Sequence, residues 1–269
     1  MYTTALTRKF GDIDDILSFF LDNDIISLCS WSYQAGKLAL KLLWLYVHFI
    51  ITIFFFALRV IDGVESRLIS IELLKQYKVI DVGKLRYLAI VVDSEEARRI
   101  SKVIRLLKWL HHIGVKRVCL YDTEGELKGS KDAILQKLSY VKPFEDPSDF
   151  AENKMIVEFL SQSDGKEAVA RAANLLLKQQ LKLRKLGEDK EDKLYTESQL
   201  TEALKAVGCK GPDPDLLLVY GSARCHLGFP AWRLRYTEIV HMGSLKFMRY
   251  GALQKAIYKF TLVRQNYGK

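Results

Sequence analysis

The sequence predicts an α/β domain, a parallel sheet flanked by helices, preceded by one N-terminal transmembrane helix. Three observations carry this. A seventeen-residue run without formal charge, LLWLYVHFIITIFFFAL, occupies 42–58. Behind it, short apolar runs alternate with helix-length amphipathic ones, the order of βαβ units. Two of the short runs, RYLAIVV (86–92) and DLLLVY (215–220), are almost continuously apolar, as strands buried on both faces are.

Counting from Leu38, the first run reaches 21 residues with one lysine, Lys41, near its end, where the stem can snorkel. A spanning helix needs roughly 20 apolar residues. Trp44 and Tyr46 near one boundary suit an interfacial aromatic belt. The alternative is a buried core helix, against which the FFF run and flanking cations argue. Residues 22–41 hold two Lys/Arg (Lys37, Lys41), and 59–78 hold four (Arg59, Arg67, Lys75, Lys78). That bias predicts a cytoplasmic C-terminal domain and a lumenal segment 1–37, with the acidic stretch DIDD at 12–15. The expected organisation continues with the transmembrane helix at 38–58, an amphipathic connector at 59–84, the α/β domain at 85–262 and a tail at 263–269.

Along the domain, the strand at 86–92 leads into a helix over 94–113, with Ser94 as its N-cap, two early glutamates and Gly114 past its end. The adjacent His111 and His112 fit the negative end of that helix better than a metal site. A strand at 115–121, a helix over about 127–139, a strand at 154–160 and a long helix over 165–186 come next. The charged stretch GEDKEDK (187–193) reads as an exposed loop. A helix at 197–208, strands at 215–220 and 233–242, and a final helix over 244–261 complete the pattern. In open α/β sheets the ligand site lies off the carboxyl ends of the strands. No GxGxxG or Walker loop stands at any of these places, which counts against a nucleotide enzyme.

Composition adds boundaries rather than identity. At 269 residues and 49% hydrophobic content the chain has enough apolar material for a sizeable core. The formal net charge of +9 suits an anionic partner or a solvated basic surface, since no block of five like charges occurs. Cys29, Cys119, Cys209 and Cys225 lie far apart without a CxxC pair, so neither a disulfide framework nor a zinc site is indicated.

At GPDPDLLLVYGSARCHLGFPAWRLRYTEI (211–239) the sequence resembles the cis-prenyltransferases, which build polyprenyl diphosphates. Pro212-Asp213-Pro214-Asp215-Leu216-Leu217 keep the entry of the family's segment, and Phe229, Trp232, Tyr236 and Glu238 keep its exit. The middle departs. Val219 and Cys225 stand where the resemblance places two diphosphate-binding arginines. At the first strand the family continues Asp-Gly-Asn-x-Arg, the aspartate on magnesium; here Asp93 is followed by Ser94, Glu95 and Glu96. SQSDGKEAV (161–169) is similar to a degraded asparagine-tyrosine-glycine-glycine-arginine turn, with Lys166 at the arginine position. A diphosphate site needs converging cations and backbone amides. The chain is therefore not expected to catalyse condensation alone.

The layout as a whole resembles the Nogo-B receptor type of accessory subunit of dehydrodolichyl diphosphate synthase, especially its plant members, on PDPDLL, FMRYGALQ (247–254) and a terminal Gly-Lys. The resemblance implies a catalytic cis-prenyltransferase partner, isoprenoid diphosphate substrates, Mg2+ held mainly by that partner, and the endoplasmic reticulum membrane, with no nucleic acid. It also implies that the tail completes the partner's site, through Gly268 and the neighbouring Asn266 and Arg264. Asn266 replaces the family's arginine, so charge there would come from Arg264 or Lys269. Two other readings stay open: a self-sufficient prenyltransferase with Asp93 and Glu238 as metal ligands, and a membrane receptor or scaffold unrelated to prenyl transfer. For Asp93 the plain alternative is a helix cap, and for Glu238 a pairing with Arg233 or Arg235.

Overall fold

A computed structural model describes residues 3–71, 73–74, 77, 80–145, 154–185 and 195–263, with side chains from Gln34 onward except that of Arg184. It divides into two compact units, residues 1–63 and 64–269. The first is most of helix α1 (Thr3–Ser70). Within α1 the stretch Gln34–Ser70 is long and apolar enough to cross a membrane, and none of its most apolar window is covered by protein. No proline interrupts the helix after 58, and α1 continues through residues 59–70 of the expected amphipathic connector.

The second unit begins at Val64, before the expected boundary at 85. Its centre is a six-stranded sheet, all parallel, in the order β3-β4-β2-β1-β5-β6. The strands are β1 (Leu88–Val92), β2 (Arg117–Tyr121), β3 (Val141–Pro143), β4 (Met155–Leu160), β5 (Leu216–Tyr220) and β6 (Glu238–Gly243). Every residue of β1 and β5 is buried, as their unbroken apolar runs require. Side chains alternate between the two faces. Leu88, Ile90, Val92, Leu120, Leu216 and Leu218 pack with Leu106 and Leu110 of α3 (Ile100–Ile113) and Leu253 and Ile257 of α8 (Tyr250–Leu262). Ala89, Val91, Cys119, Tyr121, Leu217 and Val219 form a second core with Tyr87, Leu160 and Phe229. A third cluster joins α6 (Lys166–Lys185) to α7 (Glu197–Ala206) through Ala168, Ala172, Ala203 and Leu204, with Trp232 against it.

Two expected helices are broken. The 94–113 stretch splits into α2 (Ser94–Ala97) and α3, and 127–139 into α4 (Glu126–Gly129) and α5 (Lys131–Lys137). Ser94 does not cap: its hydroxyl accepts the N–H of Glu124 at 3.1 Å, and Asp93 holds the N-cap position without a side-chain bond. Gly114 terminates α3 at φ +98°, and His111 and His112 occupy its last turn as expected. The expected loop at 187–193 lies outside the described residues.

Candidate functional site

The strand order reverses between β1 and β5, which places the switch point where Asp93 and Gly221 leave those strands. The Asp93 N–H donates to the Tyr220 carbonyl at 2.8 Å, holding the two strand ends together. A Cβ on Gly221 would stand 3.3 Å from Asp93 Cβ and 3.4 Å from Leu227 Cδ1. The crevice is therefore narrow, and an aliphatic side chain lies against it. Leu227 has φ +48° and packs on the second core. Its carbonyl accepts from Thr123 Oγ1 at 3.0 Å and Tyr121 Oη at 3.3 Å. Next to it Gly228 has φ +82°, with Tyr121 Oη only 3.1 Å from where a Cβ would be. The loop after β5 is thus pinned down over the strand ends.

Around this crevice several described charges are paired with protein groups, and others carry the wrong sign for a phosphate. Arg98 pairs with Glu124 and Glu126, both at 3.0 Å. Lys128 pairs with Asp164 at 2.9 Å. Asp122, wholly buried, accepts the N–H groups of Glu126 and Leu127 and so fixes α4. Glu96 reaches across to the Ser244 hydroxyl and the Leu245 N–H, the start of the 3-10 turn Leu245–Phe247. Glu95 is exposed. Carboxylates without a facing cation repel a diphosphate.

Of the residues singled out in the sequence, Asp93, Val219, Cys225 and Lys166 belong to the carboxyl ends of the strands or to the segments that follow them, and Glu238 does not. Val219 is 1% exposed and belongs to the second core, so the lost arginine position is occupied by packing. Cys225 is exposed on the loop after β5, and Lys166 is exposed at the start of α6. Asp93 stands past the C-terminal end of β1, whereas Glu238 opens β6 in register with Leu216 and Leu88 at the other end of the sheet. At about 3.3 Å per residue the two carboxylates are separated by the length of a strand and cannot share one ion. Asp93 alone offers a single carboxylate. Mg2+ is ordinarily held by one or two carboxylates plus substrate phosphates, and the phosphate cradle is what this crevice lacks; no cluster of three His, Cys, Asp or Glu occurs among the described residues. The donor set does not fit a resident Mg2+. Arg264, Asn266 and Gly268 lie outside the described residues.

Other parts of the motif turn out to hold the fold. Asp215 accepts the N–H groups of Arg86 and Tyr87 at 2.8 and 2.9 Å, tying the start of β5 to that of β1. Thr237 donates to the Pro214 carbonyl at 2.6 Å. Arg233, expected beside Glu238, instead pairs with Glu158 of β4 at 3.0 Å, both side chains under a tenth exposed. Arg233 Nε donates to the Pro212 carbonyl at 3.1 Å, and Tyr87 donates a short hydrogen bond to Glu158. Burial opposes the charge on Arg233, but the Glu158 carboxylate beside it raises its pKa further still. Burial, with Cys119 and Glu158 adding to it, holds the Tyr87 phenol well above its ordinary value. Arg235 pairs with Asp213 at 3.3 Å and with Glu197. Sequence reasoning missed the Glu158–Arg233 pair; a lone carboxylate inside MIVEFL was the available signal, because a buried charge requires a partner.

The fold defines the class: a cis-prenyltransferase-like α/β domain that follows one long apolar N-terminal helix. Lavandulyl diphosphate synthase from Lavandula x intermedia shares it with a TM-score of 0.52 at 14% identity, over 69% of this chain and 98% of that one. Within that class the chain is a distant homologue of dehydrodolichyl diphosphate synthase complex subunit NUS1. The human protein is 25% identical over 201 residues, 67% of this chain. The mouse protein is 26% identical over 201 residues, and that of Schizosaccharomyces pombe 22% over 210. The match spans 65% of the human protein's length and 64% of the mouse protein's. No family model matches the chain.

Proposed function

We propose that this chain is a non-catalytic accessory subunit that anchors and activates a catalytic cis-prenyltransferase, forming a heteromer that elongates farnesyl diphosphate with isopentenyl diphosphate. The single observation that carries this reading is the switch-point crevice. Leu227 lies against it, Val219 replaces an arginine, and Glu95 and Glu96 follow Asp93. A chain with this crevice would retain an enzyme's fold without the two arginines that the resemblance places at 219 and 225. The homology to NUS1 supplies the expectation of a complex. Tyr236, Ile239 and Phe247 are exposed on and beside β6, the edge strand, whose free backbone groups suit a protein partner. The apolar helix would hold the complex at the endoplasmic reticulum membrane as a single pass with the domain cytoplasmic. Mg2+ would be held by the catalytic partner, and the long-chain product would serve as precursor of dolichol for protein glycosylation.

The test is reconstitution. The full chain in detergent, alone, is expected to incorporate no isopentenyl diphosphate; co-purified with a catalytic cis-prenyltransferase subunit, it is expected to raise that subunit's turnover. Robust elongation by the chain alone would overturn the reading. So would a catalytic subunit indifferent to its presence.

The tail offers a finer prediction within this reading. If the Gly268 N–H approaches a phosphate in the partner's site, a Cβ there displaces it. Gly268→Ala is expected to lower turnover of the complex about ten- to a hundredfold, the worth of one charge-assisted hydrogen bond in the transition state. Asn266→Ala costs less, since a neutral donor contributes roughly 0.5–1.5 kcal/mol. Asn266→Arg, which restores the family's charge, is expected to be neutral or activating. Wild-type turnover in a complex lacking residues 266–269 would remove the tail from the site.

A further inference from the structure

Helix α1 carries its polar side chains along one side. Trp44, His48 and Thr52 follow one another at intervals of four within the apolar stretch 38–58, so they share a stripe about 80° wide. Lys37 and Lys41 precede them on that stripe, Arg59 and Asp62 follow, and Tyr46 stands on the opposite side. A helix surrounded only by lipid has no use for such sorting. His48 is the deepest of these groups: it is the middle residue of 38–58, about 15 Å from either end at 1.5 Å per residue. Ionisable side chains at that depth ordinarily face protein. Its ring is already fixed on one side. His48 Nδ1 lies 3.1 Å from the Trp44 carbonyl, which only accepts, so Nδ1 carries the proton of the neutral ring and Nε2 is left as an acceptor. Thr52 Oγ1 donates to the His48 carbonyl at 2.7 Å and so spends its proton within the helix. The Trp44 and His48 rings stand together, their centroids 4.0 Å apart. Neither His48 Nε2 nor the Trp44 Nε1–H has a partner among the described residues. One unmet acceptor and one unmet donor thus sit on adjacent rings inside the apolar stretch.

We infer that α1 pairs along this stripe with α1 of a second copy of the chain. In two parallel helices related by a twofold axis, the Trp44 Nε1–H of each donates to His48 Nε2 of the other, so one contact satisfies both groups twice. Arg59 and Asp62, opposite in charge and three residues apart, lie on the same stripe and cross-pair in the same sense. Lys37 and Lys41 lie toward the other end, where their stems carry the like charges apart to the headgroups. This self-complementarity selects a second copy over a different helix, because the chain itself supplies donor and acceptor one turn apart on one face. In hydrocarbon no water competes for either group. The inference rests on the reading of α1 as membrane-spanning, and it needs no catalytic partner.

The experiment uses the full chain, labelled at its N-terminus with a donor or an acceptor dye, in phosphatidylcholine vesicles without any catalytic subunit. Energy transfer is expected to rise linearly with the acceptor fraction, as in a dimer, and to fall as lipid dilutes the protein. His48→Leu and Trp44→Phe should each weaken association about tenfold, since each removes both symmetry-related bonds. The double variant should be no weaker than either single one, because the two residues share those bonds. Tyr46→Phe, on the opposite side of the helix, should associate as the wild type does. Carbonate extraction of the same vesicles separates two failures. A chain that carbonate removes does not span the membrane, and the inference falls with that reading. A chain that stays in the membrane without energy transfer leaves the spanning helix intact, overturns self-pairing and assigns the stripe to a different helix. Transfer equal in the wild type, His48→Leu and Trp44→Phe would also overturn the inference, because the copies would then meet through another surface.

Discussion

Arg233→Met is expected to destabilise the domain by about 3–5 kcal/mol, the usual cost of removing one partner from a buried ion pair. Glu158 sits within β4, between apolar neighbours, with its side chain 9% exposed. Two hydrogen bonds from the guanidinium, at 3.2 and 3.0 Å, and one from Tyr87 satisfy it. A methionine fills a similar volume but leaves the carboxylate with only Tyr87 and the Cys119 thiol beside it. It also abandons the Pro212 carbonyl, which accepts from both Nε and Nη2 of Arg233. For a unit of this size the loss corresponds to a fall in melting temperature of roughly 6–20 °C. The informative control is the double variant Glu158→Leu/Arg233→Met. Buried pairs contribute little net stability over well-packed apolar replacements, so the double variant should recover most of the deficit. A melting temperature unchanged in Arg233→Met would mean that the pair is solvated. Gly211 belongs to the same arrangement. A Cβ there would overlap the Glu158 carboxylate and lie 2.6 Å from Arg233 Nη2, so the glycine before PDPDLL makes room for the pair.

That pair shows where sequence reasoning stopped. The interior strands could be read because burial on both faces leaves an apolar signature within a few consecutive residues, as in LAIVV of β1 and LLLVY of β5. Glu158 and Arg233 are 75 residues apart, and no local pattern joins them. β3 was invisible for a different reason. It is three residues long, contains Pro143 and pairs on one side only, with β4. Proline is tolerated at such an edge, yet in sequence it argues against a strand. The break in the helix after β1 also has tertiary contacts beside it. Ser94 is drawn to the Glu124 N–H and Glu96 to Ser244 and Leu245, contacts 30 and about 150 residues distant. At the crevice, the absence of an arginine at 219 and of a glycine after Asp93 was plain in the sequence. The filling of that space was not, because it depends on the left-handed turn at Leu227 and Gly228 and on two hydroxyls from β2 and its following loop.

Gly251→Ala is expected to separate the end of α1 from α8, and it gives FMRYGALQ a physical role. An added Cβ would overlap the Ser66 carbonyl oxygen, lie 2.9 Å from its carbon and 3.0 Å from Ser70 Oγ. Two of these atoms are helix backbone, which cannot rotate aside, so the helices themselves must part. The Gly251 N–H donates to Ser70 Oγ at 3.0 Å, Lys255 donates to Glu65 at 2.6 Å, and Tyr77 to the same carboxylate at 2.9 Å. The first two bridge the surfaces that would be pushed apart, over the buried Ile69, and Tyr77 also packs edge-on against Tyr258 of α8. Overpacking of this kind costs about 1–3 kcal/mol, and each hydrogen bond lost adds roughly 0.5–1.5 kcal/mol. A total near 3–5 kcal/mol is expected, concentrated at this junction. Amide hydrogen exchange on the full chain should therefore show protection falling across 64–70 and the first turns of α8, while β1, β2 and β5 keep theirs. Gly129→Ala, where a Cβ meets nothing within 4 Å, is the matched control and should be silent. If exchange at 64–70 in Gly251→Ala matches that of the control, the glycine is not the seat of the helix, and the close approach of α8 to Ser66 is wrong.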